Sequence, residues 1–377
     1  MMELREPSAA PSIARAVFFS GEPKSIGHIY RVEQPVDALR SAGWRAEWAS
    51  AADSAAHAQI DSADVVVVFR AGLDAHFSEI RRRCSARGIP LVYDTDDLIF
   101  DPGLAADGKI ALFDGLGEAD RSLWRNRISA YREALALADH ATVSTEPLAA
   151  AARSICKSVF VLPNVLGPAM WQRASAANQT QPRAVDGKAR LIFASGTPTH
   201  HRDFQVAAEA VARVLAKKPG ASLTILGELD LAGFPGLAPF VGRIEKRPRV
   251  PFPDLFAELA RADINLCPLE PDNLFCEAKS AVRCLAASAV GVPSIVSPTP
   301  PLLEAVDNGK SGLVARDAME WESALDRLIT DSHFRNETGR KAQARALEIS
   351  DFPKWSSQAN RIFQQILPRN RPRPCRS

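Results

Sequence analysis

The chain has 377 residues, of which 46% are hydrophobic and 24% charged, and its formal net charge is +2. This length predicts two domains, and the composition is that of a soluble globular protein with sizeable cores. The small net charge gives no reason to expect nucleic acid as a partner.

The cysteines show neither paired metal spacing nor a compact disulfide framework, so reduced and mostly buried thiols are predicted. The sequence contains no signal-peptide pattern and no apolar stretch long enough to cross a bilayer. We therefore expect a cytoplasmic protein. Peripheral association with the inner face of a membrane stays open.

The first half alternates strand-like and helix-like segments. The strand-like runs are residues 16–19, 46–48, 65–69, 91–93, 141–143 and 159–162, and the helix-like stretches include 32–41, 75–87 and 121–138. Continuous Val-rich strands that alternate with helices predict a parallel sheet covered on both faces. This is a doubly wound α/β domain.

Two features at predicted strand ends carry polar residues. Residues 20–31 form a glycine-containing loop that enters a helix, where backbone amides around Gly27 approach a phosphate or sugar and His28 and Arg31 hydrogen-bond a ligand. The loop matches neither the Rossmann nor the Walker spacing, and a plain surface histidine is the alternative for His28. Arg70 ends the third strand and reaches the same crevice, with a simple salt bridge as its alternative role.

Three carboxylates follow the fourth strand, at Asp94, Asp96 and Asp97. Like charges this close repel each other, so at least one needs a partner or a raised pKa. Such a group accepts a proton from a hydroxyl, hydrogen-bonds a sugar or binds a hard cation. We favour a functional cluster over a solvated surface.

The alternation restarts after a polar linker at residues 182–188. Strands are predicted at 191–194, 223–226, 264–269 and 294–297, with helices at 204–217 and 254–262. A second α/β domain that faces the first across a cleft is the simplest architecture. Gly196 permits close approach of a ligand, Thr197 supplies a hydroxyl, and Asp203 is expected to cap the next helix. The adjacent His200 and His201 have no third ligand nearby, so no metal site is predicted.

The segment 271–293 places Lys279, Ser280 and Arg283 near the start of a predicted helix that Gly291 ends. Helix-start amides, an ammonium and a guanidinium one turn further on form a site for a phosphate-bearing ligand. A solvated helix face is the alternative. Arg243 and Lys246 add positive charge near another strand end.

These motifs, in this order, resemble a family. Over essentially its whole length the chain resembles a group 1 (family 4-like) glycosyltransferase with the GT-B fold, in which two Rossmann-like doubly wound domains face each other across a cleft. The matching segments are 27–31, 93–98, 143–145, 162–164, 195–203, 279–283, 291–293 and 309–313. Residues 1–172 are predicted as the acceptor domain, 173–188 as a linker, 189–350 as the donor domain, 351–367 as a terminal helix that returns to the first domain, and 368–377 as a disordered basic tail.

The resemblance implies transfer of a sugar from a nucleotide-sugar to a glycan, lipid-linked or protein acceptor, without a metal and without a cofactor beyond this co-substrate. The predicted catalytic residues are Asp96, Asp97 and His28. Predicted acceptor-binding residues are Gly27, Tyr30, Arg31 and Arg70. Predicted donor-binding residues are Gly196, Thr197, His200, Arg243, Lys246, Glu277, Lys279, Ser280 and Arg283.

One position departs from the family pattern. Relatives usually carry a glutamate that binds the donor's ribose three residues after the position of Arg283, and this chain has Ala286 there. Glu277 lies at an offset that does not restore the usual spacing. A catalytically inactive homologue that binds or scaffolds is therefore the alternative to an active transferase.

Overall fold

The computed structural model describes residues 13–105, 110–180, 187–196 and 198–368. Thr197, most of the predicted linker and the basic tail after residue 368 lie outside the described residues. Within the described ranges no helix is long and apolar enough to cross a membrane.

The first sheet has six parallel strands in the order β2-β1-β3-β4-β5-β6. Its strands are Arg15–Ser20 (β1), Arg45–Ser50 (β2), Val65–Phe69 (β3), Leu91–Thr95 (β4), His140–Val143 (β5) and Val159–Val161 (β6). The centre of this sheet is fully buried, as the near-continuous apolar runs predicted.

Helices cover both faces of the first sheet. They are Ile26–His28 (α1), which continues through a π-helical turn at Ile29–Glu33 into Gln34–Ser41 (α2), then Ala75–Arg87 (α3), Glu118–Leu137 (α4) and Glu146–Arg153 (α5). Short 3-10 helices lie at Ala56–Ser62, Pro102–Ala105 and Ala111–Phe113. One apolar cluster packs on each face.

The second sheet also has six parallel strands, in the order β12-β11-β10-β7-β8-β9. They are Ala189–Gly196 (β7), Ala221–Gly227 (β8), Ile244–Arg247 (β9), Ile264–Cys267 (β10), Ser294–Val296 (β11) and Leu313–Val314 (β12). The order reverses between β10 and β7, where chain connections leave in opposite directions and open a crevice at the carboxyl ends of the strands. The two doubly wound sheets confirm the predicted fold class.

The remaining helices belong mainly to the second half. They are Pro168–Thr180 (α6), His201–Lys217 (α7), Leu255–Ala260 (α8), Leu274–Glu277 (α9), Val282–Ala289 (α10), Pro300–Ala305 (α11), Ala318–Thr330 (α12), Ser332–Ile349 (α13) and Phe352–Ile366 (α14). Further 3-10 helices lie at Pro198–His200, Leu231–Gly233, Pro235–Arg243, Phe252–Asp254 and Asp307–Gly309.

Two crossovers of the chain join the domains. Helix α6 packs with α8 of the second domain, so the predicted boundary at residue 172 falls inside a helix that belongs to the second core. Helix α14 lies on α2 of the first domain, where Trp355 donates its indole N–H to the carbonyl of Pro163 at 2.8 Å. The last helix thus returns to the first domain.

The single helix predicted within residues 271–293 is broken into two. Asn273 caps α9 by accepting from the amide of Phe275 at 3.0 Å, α9 ends at Glu277, and α10 begins only at Val282. Lys279 and Ser280 therefore lie in the link between two helices. Gly291, with φ of +69°, follows the end of α10 as the sequence predicted.

The candidate active-site cleft

A cleft of about 420 Å³ lies where the carboxyl ends of the two sheets face each other. Both domains contribute polar side chains to it, and apolar residues such as Ile26 and Phe252 line one part of the wall. Of the predicted site residues, those that line it are Gly27, Tyr30, Arg70, Asp96, Asp97, His200, Lys279, Ser280 and Arg283.

On the second-domain side, the carboxylate of Asp203 organises the cations. It is buried near the start of α7, and its Oδ2 accepts from Nδ1 of His200 at 2.7 Å and from Nζ of Lys279 at 3.0 Å. Its Oδ1 accepts from the amide of Glu270 at 3.1 Å and the thiol of Cys276 at 3.3 Å. Asp203 was expected only to cap a helix, whereas it fixes the positions of two predicted donor-binding residues.

The protonation states follow from this packing. Burial alone would raise the pKa of Asp203, but the hydrogen bond from His200 and the charges of Lys279 and Arg283 outweigh it and hold this pKa below its usual value. Burial and the nearby charge of Arg283 lower the pKa of His200 to about 4, although Asp203 favours the protonated ring. His200 is therefore neutral at pH 7, and the positive charges next to Asp203 are those of Lys279 and Arg283.

The same wall is completed by the end of β7 and the start of α10. Gly196 ends β7, and Arg283 in the first turn of α10 donates to the carbonyl of Ala194 on β7 at 3.5 Å. Ser280 presents its hydroxyl to the cleft. An anion in the cleft would thus contact the ammonium of Lys279, the hydroxyl of Ser280 and the guanidinium of Arg283, which lie within five residues of each other.

On the first-domain side, Arg70 lies between the two predicted catalytic carboxylates. One terminal nitrogen, Nη2, is 2.6 Å from Oδ1 of Asp96 and 2.6 Å from Oδ2 of Asp97. The other, Nη1, is 3.3 Å from Glu22. The triple-acid cluster therefore has its counter-ion, and Arg70 combines the salt bridge considered from the sequence with a place in the cleft.

A tight backbone arrangement sets this geometry. Arg70 has φ of +45°, an unusual conformation for a residue with a side chain. A Cβ on Gly21 would lie 2.3 Å from the carbonyl oxygen of Arg70, so only glycine permits the ends of β1 and β3 to come this close. A Cβ on Gly27 would lie 2.9 Å from the ring of Phe69 and 3.3 Å from the oxygens of Asp96.

The pKa of Asp97 is raised above its ordinary value because its carboxyl loses hydration in the cleft, and the neighbouring charge of Asp96 adds to the effect. Arg70 and Lys279 act in the opposite direction. The influence of Lys279 shows that the donor-side ammonium and the acceptor-side carboxylate share one electrostatic environment across the cleft. A carboxylate whose pKa is raised in this way, as that of Asp97 is beside Asp96, is suited to accept a proton from a hydroxyl.

Arg31 does not reach the cleft, which corrects its predicted role in acceptor binding. Its side chain is fully buried and donates to both oxygens of Asp94, at 2.8 and 2.7 Å. It also donates to the carbonyl of Leu162 and to Oδ1 of Asn164. A guanidinium next to a buried carboxylate finds its partner inside the domain, so Arg31 stabilises the core beneath the site.

Four further predictions of cleft residues are not supported by their positions. The ring of His28 is buried against Trp48 and Ser20, behind the loop. Arg243 donates to the carbonyls of Leu215 and Lys218 at the end of α7, as a helix cap. Lys246 is exposed on the edge strand β9, and Glu277 ends α9 without lining the cleft. The residues next to these positions in the sequence do not show the direction of the side chains.

Sequence reasoning missed two residues that line the cleft from unexpected places. Arg249 follows β9 in a loop with prolines on either side, at positions 248 and 251. Asn164 lies after β6 and was noted only as part of a family motif. The prolines on either side of Arg249 restrict the backbone of this loop, and this restriction is the sequence signal for a rigid position.

Comparisons with known structures agree with this fold. The sucrose-phosphate synthase of Thermosynechococcus elongatus superposes with a TM-score of 0.63 at 13% identity, covering 94% of this chain and 99% of that one. The Anabaena protein HepE in complex with UDP-glucose gives 0.63 at 11% identity, with 93% and 99% covered. WaaG, described as a glycosyltransferase involved in lipopolysaccharide biosynthesis, gives 0.61 at 15%, with 93% and 99% covered. These likenesses define the fold class, GT-B.

Sequence comparison finds a family match within the second domain. Residues 188–331 match the family model described as glycosyl transferases group 1. D-inositol 3-phosphate glycosyltransferase of Corynebacterium jeikeium (strain K411) is 33% identical over 89 residues, which are 22% of this chain and 20% of that protein. The match thus spans about a fifth of the length of this relative. The resemblance predicted from the sequence is confirmed at this level: residues 188–331 are similar to group 1 glycosyl transferases, and the chain has the GT-B fold.

Proposed function

We propose that this protein is a glycosyltransferase that moves a sugar from a nucleotide-sugar to an acceptor in the cleft. The observation that carries the proposal is the arrangement of Lys279, Arg283 and Ser280 on one wall, opposite Asp96 and Asp97 on the other. One wall suits a diphosphate, and the other suits a hydroxyl that must lose a proton. UDP and UDP-glucose, which are bound in the structurally similar HepE, are the first donors to test.

The donor wall would act mainly on the leaving diphosphate. Negative charge develops there as the bond to the sugar breaks, and cations already held in place stabilise it without reorganisation. Lys279 is held by Asp203 at 3.0 Å, so its charge is in position before the donor arrives. Neutral His200 and the end of β7 at Gly196 complete the proposed diphosphate site, and Thr197, outside the described residues, stays a predicted donor contact.

The acceptor wall would supply the base and orient the nucleophile. Asp97 is about one-third exposed, at 34% for its side chain, whereas the Asp96 side chain is 10% exposed. We therefore assign proton acceptance to Asp97 and the orientation of the acceptor hydroxyl to Asp96. Arg70 keeps both carboxylates in place, and Gly27 and Tyr30 shape the acceptor's entry.

We further propose that the reaction is independent of a metal, because two protein cations face the position of the diphosphate. The proposed acceptor is a glycan, a lipid-linked sugar or a protein, in the assembly of cell-surface polysaccharide or glycoconjugate. The proposed location is cytoplasmic, including the inner face of a membrane. Turnover that is unchanged in excess chelator is the expected result for metal independence.

Ala286 favours a second candidate function, a GT-B protein that binds without turnover. This residue is buried, at 1% exposure, on α10. It follows Val282 by four positions and Arg283 by three, and both of these line the cleft, so position 286 is on the same side of the helix. A glutamate at 286 would therefore approach the cleft, and the alanine removes one polar contact to the donor.

A nucleotide-sugar panel separates the two functions. UDP, GDP, dTDP and CMP sugars are tested first by thermal shift, where a ligand at ~100 times its dissociation constant stabilises by roughly 2.7 kcal/mol. The donors that bind are then incubated with the protein, and release of free nucleotide is measured over time. Binding with release supports the transferase, whereas binding without release under any acceptor mixture supports the second function. No binding at all would contradict both.

A further inference from the structure

Asn164 occupies the point where the two walls of the cleft meet. It follows β6, its exposure is 5%, and its carboxamide lies among groups from both domains. Its Oδ1 accepts from Nη1 of Arg31 at 3.0 Å. Its Nδ2 donates to Oδ2 of Asp96 at 3.2 Å and to the hydroxyl of Ser280 at 3.4 Å.

The orientation of this amide is fixed by its neighbour. A guanidinium has donors only, so the end of Asn164 that faces Arg31 must be the oxygen. Arg31 is fully buried and held by two hydrogen bonds to Asp94, so it offers no alternative arrangement. The nitrogen of Asn164 is therefore committed as the donor to Asp96 and Ser280.

We propose that Asn164 is a positioning residue of the glycosyl transfer reaction, which holds the Asp96 carboxylate in the direction needed to orient the acceptor hydroxyl and ties it to Ser280 on the donor wall. This inference rests on the proposed function. Arg70 contacts Oδ1 of Asp96 and Asn164 contacts Oδ2, so the plane of the carboxylate is set from two sides. A second cross-domain hydrogen bond, from Thr145 to the carbonyl of Ala278 at 2.9 Å, lies close by in the chain and keeps the Ser280 segment in register.

The isosteric substitution Asn164→Asp provides the sharpest test. It preserves the shape and the acceptor for Arg31, but places an oxygen opposite Oδ2 of Asp96. Two carboxylates in contact repel until one takes up a proton, which then restores a donor between them. We expect nucleotide release to fall about 100-fold at pH 8, as for a misplaced reacting group, and to recover about tenfold toward pH 5.5. UDP affinity is expected to stay within about threefold, a loss of turnover rather than of binding.

Two comparisons separate positioning from mere stability. Asn164→Ala lacks any group at this point and is expected to lose turnover at every pH. Asn265→Asp is the matched control, because Asn265 is a buried asparagine of β10 with 2% exposure and donates to Ser294 at 2.9 Å. It should lower the melting temperature like Asn164→Asp while leaving the shape of the pH profile unchanged.

The exchanged pair, Asp96→Asn with Asn164→Asp, tests the contact itself. It rebuilds an amide–carboxylate hydrogen bond with its ends reversed, so the melting temperature should return toward that of the wild type while turnover stays low. A wild-type pH profile in Asn164→Asp would overturn the inference. The absence of any gain in stability in the exchanged pair would overturn it as well.

The failure of the proposed function can be told apart from the failure of this inference. If wild-type protein releases no nucleotide from any donor, the proposed function fails and the positioning role fails with it. The melting temperatures still report whether Asn164 and Asp96 are in contact.

Discussion

Lys279→Ala tests the donor wall most directly. The ammonium is 3.0 Å from Oδ2 of Asp203, and its side chain is only 14% exposed, so little water screens it. A charge-assisted hydrogen bond to a bound diphosphate is worth about 1.5–3 kcal/mol, which corresponds to about 10- to 150-fold in the dissociation constant. We expect UDP binding, measured by calorimetry, to weaken within this range.

The fold should survive the substitution, because the Asp203 carboxylate keeps its hydrogen bonds from His200, the amide of Glu270 and Cys276. Lys310→Ala is the matched control: its side chain is 76% exposed and pairs with Asp307 on the surface. This control should leave UDP affinity unchanged. A dissociation constant for Lys279→Ala equal to that of Lys310→Ala, with both proteins folded, would refute the assignment of the diphosphate to this wall.

Three further outcomes are expected. Asp97→Asn should lower nucleotide release in the presence of acceptor by ~10²–10⁴-fold with UDP affinity little changed, and wild-type rates in that variant would remove Asp97 from the mechanism. Ala286→Glu should tighten UDP binding by about 1–3 kcal/mol if the carboxylate reaches the ribose, whereas a lower melting temperature without tighter binding would favour the function without turnover. His200 is neutral in the fold because its pKa is lowered to about 4, so its contribution to the free energy of unfolding is complete above pH 6.5 and is lost as the pH falls toward 4. The difference in free energy of unfolding between wild type and His200→Asn should change by about 3 kcal/mol from pH 7 to pH 4, and a constant difference would show that burial does not shift this pKa.

The buried ion pair beneath the cleft determines what a substitution of Arg31 would report. Arg31 and Asp94 are both buried and fully paired, and removal of one partner from such a pair typically costs 3–5 kcal/mol of stability. A loss of activity in an Arg31 variant would therefore report unfolding rather than acceptor binding. Measurements of turnover at this position need a melting curve beside them.

The architecture can be predicted from the amino-acid sequence, because the signal for buried parallel strands is local. Residues 65–69 are continuous apolar positions and form β3 over the same bounds, and the helix predicted at 75–87 is α3 without change. The order of strands and helices then leaves few topologies, since parallel connections are right-handed and place polar loops at one edge of the sheet. The positions of Asp96, Asp97, Lys279 and Arg283 near that edge followed from the same pattern.

Which polar side chains face the cleft depends on contacts between distant parts of the chain. Arg31 and Arg70 were both predicted to reach the cleft from a strand end. Arg31 is instead fully buried against Asp94, whereas Arg70 lies between two carboxylates in the cleft. The roles of Asp203 and Asn164 depend on distant partners. Asp203 contacts Lys279, 76 residues away, and Asn164 contacts Asp96, 68 residues away. Local propensity describes the backbone of each segment, whereas the direction of a charged side chain depends on which counter-charge the folded chain brings within reach.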